Sequence, residues 1–99
     1  MTLEEYMKWQ PKLAAYELND FPEDSKLEQA IIEMTGEAGE VLQLMTKARR
    51  KGVRIDHYQL LDEVGDVLWG LIGIMNVAGF KPEEVMMYNY NKLEQRYKK

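Results

Sequence analysis

The chain contains no cysteine. A disulfide framework, a thiolate nucleophile and a cysteine-ligated zinc site are excluded together, and a reducing cytoplasm is the expected compartment. Histidine is almost as scarce, with His57 alone. The Glu-x-x-His pairs that hold two irons in a helical bundle are therefore absent, since Arg54 stands three residues before His57. His57 reads as a surface residue without a role. Long apolar runs are missing as well. The longest, Val67 to Ala78, is interrupted by Asn76 and falls short of the roughly 20 residues that a bilayer span needs. Met1 to Lys12 is mixed polar and charged, so neither a signal peptide nor a membrane partner is expected. Basic residues do not dominate either: the net charge of −4 argues against nucleic acid as the main partner. Strand-like alternation and internal repeats are lacking.

What remains is helix. Ninety-nine residues make a single domain, expected to span 1–99. Thr2 with Glu5 forms a capping-box pattern ahead of a first helix, from about Leu3 to Glu17. Asn19-Asp20-Phe21-Pro22 breaks the chain. A second such pattern, Ser25 with Glu28, opens a long helix to about Lys51, with Gly52 placed to end it. Asp56 caps a third helix running to about Ala78 before Gly79, and Pro82, followed by Glu83 and Glu84, starts a fourth. Each helix carries an apolar stripe, and the third is apolar nearly all round beyond Asp66, so it must be covered on several sides. The expected fold is an all-α, four-helix, bundle-like domain completed by a homodimer or homotetramer.

The acids fall into a pattern. Glu33, Glu37 and Glu40 lie at i, i+4, i+7 on the second helix, and Glu63 and Asp66 at i, i+3 on the third, so each set shares a face. An arbitrary pair of this kind is usually a solvated face. Here Asp66 leads directly into the most apolar stretch of the chain. Five glycines also interrupt these helices, Gly36, Gly39, Gly65, Gly70 and Gly73, each costing about 0.8–1.0 kcal/mol relative to alanine. Close approach of a backbone or a ligand would explain them, and Gly70 and Gly73 are expected to leave a groove without side chains running inward from Glu63 and Asp66. An all-carboxylate donor set suits Mg²⁺, or Mn²⁺, over softer metals.

Three blocks of the chain, Gly36-Glu37-Ala38-Gly39-Glu40, then Glu63-Val64-Gly65-Asp66-Val67-Leu68-Trp69, then Asn89-x-x-Lys92-Leu93-x-x-Arg96-Tyr97, resemble in order and spacing the MazG-like all-α nucleotide pyrophosphohydrolases. The resemblance covers roughly Leu27 to Tyr97. One departure is visible: the fuller family motif reads Glu-Glu-x-x-Glu, and its first position is Gly36 here. The resemblance implies Mg²⁺-dependent hydrolysis of a (deoxy)nucleoside triphosphate to monophosphate and pyrophosphate. Glu37, Glu40, Glu63 and Asp66 would be the metal ligands, and Glu37 or Glu40 the base. It also implies dimers or tetramers with sites near subunit contacts.

Cationic and aromatic residues complete the expectation. Lys47 lies seven residues beyond Glu40 on the same stripe, about 10 Å along the axis, within reach of a phosphate held at the acids. The resemblance associates Lys47, Arg50 and Lys51 with phosphates, although cations in a last helical turn also favour the helix dipole. Asn89, Lys92 and Arg96 form one stripe on the fourth helix, opposite Tyr90, Leu93 and Tyr97. That stripe is either a solvated face or, by the resemblance, a set of substrate ligands. Trp69, three residues after Asp66, either stacks on a base or fills core. The rival readings are a non-catalytic helical interaction module and a metal-dependent sensor that binds nucleotide without turnover.

Overall fold

The computed structural model describes residues 1–98, and its regular elements are helices. They are α1 (Leu3–Leu18), a 3₁₀ turn (Glu23–Ser25), α2 (Lys26–Lys51), α3 (His57–Ala78) and α4 (Pro82–Tyr97). Local chemistry sets most of the ends. Thr2 Oγ1 accepts from Glu5 N at 3.1 Å while Glu5 returns the bond to Thr2 N at 2.9 Å. Asp56 Oδ1 accepts from the N–H groups of Tyr58 and Gln59, both at 3.0 Å. Gly52 (φ 68°) and Gly79 (φ 81°) end α2 and α3 in the left-handed conformation that a side chain would disfavour. Ser25 departs from expectation. The chain enters α2 through the 3₁₀ turn, which leaves Ser25 at φ −97°, ψ −8° with no capping bond. An N-cap oxygen reaches the first free N–H groups from extended backbone, not from this conformation.

The five-residue link 52–56 folds α3 back antiparallel along α2, and this hairpin is the main packing unit. Gly70 sets its spacing. A Cβ there would lie 2.8 Å from Met34 Cα, so glycine permits the two backbones to approach. α1 packs on the far end of α3. Its interior contains Pro11, which supplies no N–H to the carbonyl of Met7; Asn76 Nδ2 donates to that oxygen instead, at 3.2 Å. Few side chains are fully buried: Ile72, 1% exposed, Ala14, Leu18, Ala30 and Ala48 are the buried apolar residues among those described.

α4 turns 103° away from α3, and after Pro82 every described residue of it is exposed. It therefore does not cover α3. Leu61, Val64, Leu68 and Leu71 of α3 are left 40–61% exposed. The molecule is correspondingly extended, with a radius of gyration of 16.1 Å against about 13 Å for a compact chain of this length. No single helix among the described residues is long and apolar enough to cross a membrane.

Candidate functional site

Antiparallel pairing brings the two acidic faces together across the α2–α3 seam. One carboxylate oxygen each from Glu37, Glu63 and Asp66 lies within 4.8 Å of the others. Glu40 lies beside Glu63, as Glu37 does beside Asp66. Partial burial hinders ionisation of these acids, and like charges held this close add to the effect. The Glu37 carboxyl is raised above its ordinary value by desolvation first, then by Glu40 and Asp66. Glu63 is raised by desolvation first, then by the adjoining Glu40 carboxyl and by Asp62 and Asp66. Among the described residues, neither ion pair of the chain, Lys8–Glu4 and Lys26–Glu23, touches these acids.

A divalent cation fits this donor set. Glu63 Oε2 is buried with no hydrogen-bond partner, a costly position for a carboxylate oxygen unless a cation meets it. The ligands are all hard oxygens, suited to Mg²⁺ or Mn²⁺. Glu37, Glu63 and Asp66 would hold it, with Glu40 at the edge.

Two grooves open on either side of the acids. The first, about 520 Å³, runs from Glu40 and Glu63 along the end of the hairpin and is lined by Lys47, Lys51 and Arg54. The second, about 420 Å³, is bounded by Glu37, Asp66, Glu33, Glu17, Trp69 and Gly70. Trp69 is half-buried and meets Trp9 of α1 edge to face, centroids 5.4 Å apart. It packs on one edge and faces the groove on the other.

Of the residues singled out from sequence, the structure brings together the four acids, Lys47, Lys51 and Trp69. Arg50 is exposed and lines neither groove. Asn89 and Lys92 line a separate groove of about 480 Å³ with Phe80, Val85 and Tyr88, and Arg96 is exposed further along α4. No residue of α4 lines either acid-bounded groove. Sequence reasoning missed Arg54, which follows the helix-ending Gly52 where helical spacing no longer applies. It also missed Asp62, which lines the first groove and raises Glu63, and Glu17 on α1. Glu33 was visible in the acidic row but was given no site role. The groove expected from the missing side chains of Gly70 and Gly73 is not there: Met34 fills the space above Gly70, which only borders the second groove, and Gln10 Nε2 lies 2.9 Å from where a Gly73 Cβ would be.

Fold and cluster together define an all-α protein with carboxylates paired across a helical hairpin. Within that class the chain belongs to the MazG nucleotide pyrophosphohydrolase domain family, which matches residues 25–99. Neither a curated protein nor a solved structure gave a match.

Proposed function

We propose that the chain is one catalytic domain over residues 1–99 that hydrolyses a (deoxy)nucleoside triphosphate to the monophosphate and pyrophosphate, using Mg²⁺ or Mn²⁺. The observation that carries the reading is the convergence of Glu37, Glu63 and Asp66, with the partnerless Glu63 Oε2 among them. When bound, a divalent cation neutralises the polyphosphate and acidifies a coordinated water. The chain's own residues do the rest. Glu37, Glu40, Glu63 and Asp66 would hold the cation that receives the reacting end, while Lys47, Lys51 and Arg54 orient the departing phosphates by charge. A carboxylate not fully occupied by the cation would take a proton from the attacking water, and Glu37 or Glu40 is the candidate. Arg50, Asn89, Lys92 and Arg96 enter the proposal only as residues that a second copy could bring to a site.

A second copy is part of the proposal. The chain exposes 8083 Å², against about 5,800 Å² for a folded monomer of its mass, and every helix carries uncovered apolar residues, those of α2, α3 and α4 among them. A homodimer or homotetramer would bury them. The same surface would also suit a non-catalytic interaction module. Calorimetric titration of Mg²⁺, with and without an α,β-imido nucleoside triphosphate, separates the readings. The proposal expects both to bind and pyrophosphate to be released from the natural triphosphate. An interaction module gives no heat from either, and a nucleotide sensor binds both but releases nothing.

A further inference from the structure

We propose that Gln10 and Asn76 are positioning residues for the carboxylate site, fixing the register of α1 so that it forms one wall of the second groove. This inference rests on the function proposed above and concerns a helix that lies before the matched segment, which starts at residue 25.

The latch is built from a gap and its filling. Pro11 leaves the Met7 carbonyl without its helical donor, and Asn76 Nδ2 meets that oxygen at 3.2 Å. The same Nδ2 donates to Gln10 Oε1 at 3.1 Å, and Gln10 Nε2 points at Trp69 O, 3.5 Å away. Gln10 is 2% exposed, so its amide has little water to turn to, and a slip of α1 would strand buried polar groups. Gly73 completes the socket, because a Cβ there would press on Gln10 Nε2. An apolar helix contact tolerates sliding; this one has a single register.

What the register holds is at the acids. Trp9 is set edge to face on Trp69, fixing the indole that lines the groove. Glu17 is brought into the groove against Glu33, and Tyr6 lies near Asp66. If α1 comes off its register, Glu37, Glu63 and Asp66 stay in place on the α2–α3 hairpin, but the wall beside them is lost. Apparent affinity for substrate then falls with the fraction of molecules in which the wall is docked, while metal binding does not.

The test is a mutant cycle on the full chain. Pyrophosphate release is measured over the four deoxynucleoside triphosphates, and binding of their α,β-imido analogues by calorimetry in Mg²⁺. Asn76→Leu removes both donations. The expected result is a rise of about tenfold in KM and analogue Kd, kcat and Mg²⁺ affinity within about twofold of wild type, and a weakened near-UV circular dichroism signal from the Trp9–Trp69 pair. Pro11→Ala restores an N–H to the Met7 carbonyl, so Asn76→Leu with Pro11→Ala should recover about threefold of the loss. Gly73→Ala, which displaces only the end of the Gln10 side chain, should raise KM in the same way and keeps the test open if Asn76→Leu folds poorly. An unchanged KM alongside a lost tryptophan signal overturns the inference. So does a parallel loss of kcat, Mg²⁺ affinity and melting temperature without rescue by Pro11→Ala, since that is a purely structural role. With the panel widened to the common ribonucleoside and modified triphosphates, a wild-type chain that neither hydrolyses nor binds any of them overturns the proposed function, and this inference falls with it.

Discussion

At the scale of single residues the site is a set of negative charges held together against their repulsion, and its behaviour with pH follows. The Glu37 and Glu63 carboxyls are raised above the ordinary value of 4.5. Below that value both native and unfolded chains are protonated there, and repulsion is absent. As pH rises through the raised values the unfolded chain ionises first, so the metal-free protein loses stability. In EDTA, the melting temperature should therefore fall between about pH 4.5 and neutrality more steeply for wild type than for Glu37→Gln with Glu63→Gln, checked by calorimetry. Saturating Mg²⁺, which binds the ionised form, should reverse that trend and raise the melting temperature at neutral pH by roughly 10 °C. Glu40→Gln and Asp66→Asn should each lower turnover at least about a hundredfold while the helical circular dichroism persists. The acids themselves were legible in the sequence, because spacing along a helix places them on one face whatever lies opposite. Arg54 and Glu17 were not, because their approach to the acids depends on a link and on helix packing that carry no period.

At the scale of elements, the helix ends at Thr2, Gly52, Asp56, Gly79 and Pro82 were read correctly from the chain, since each depends on residues within one turn. Ser25 was misread because the preceding 3₁₀ turn changes its backbone without any marker in its own neighbours. Pro11 left no trace of its effect, since the donor that compensates for it, Asn76, is far along the chain. The glycines divide in a way that sequence could not show. At Gly36 an added Cβ meets nothing within 4 Å, whereas at Gly70 it meets the Met34 backbone. Gly36→Ala should stabilise the metal-free chain by about 0.5–1 kcal/mol through helix propensity. Gly70→Ala should destabilise it by about 1–3 kcal/mol through overpacking at the hairpin seam. Chemical denaturation of the two variants checks the opposite signs.

At the scale of the whole molecule, the all-α class and four helices match expectation, yet one chain does not close the bundle. The apolar stripes of α3 and α4 read the same whether their cover comes from the same chain or another, so the sequence could not reveal that α4 leaves α3 at 103°. An assembly of two or four copies is expected in light scattering at tens of micromolar; a mass near 11.6 kDa would count against it. Only in such an assembly could Asn89, Lys92 and Arg96 reach a carboxylate site. The central claim, that the Glu37–Glu40–Glu63–Asp66 cluster cleaves triphosphates between the α- and β-phosphates, meets its most direct test in one assay. Pyrophosphate and orthophosphate release are followed together over common and modified nucleoside triphosphates, with Mg²⁺ or EDTA, for wild type and Glu63→Gln. The account predicts pyrophosphate with no orthophosphate from at least one triphosphate, abolished by EDTA and by Glu63→Gln. Orthophosphate as the first product, or turnover unaffected by Glu63→Gln at saturating Mg²⁺, would contradict it.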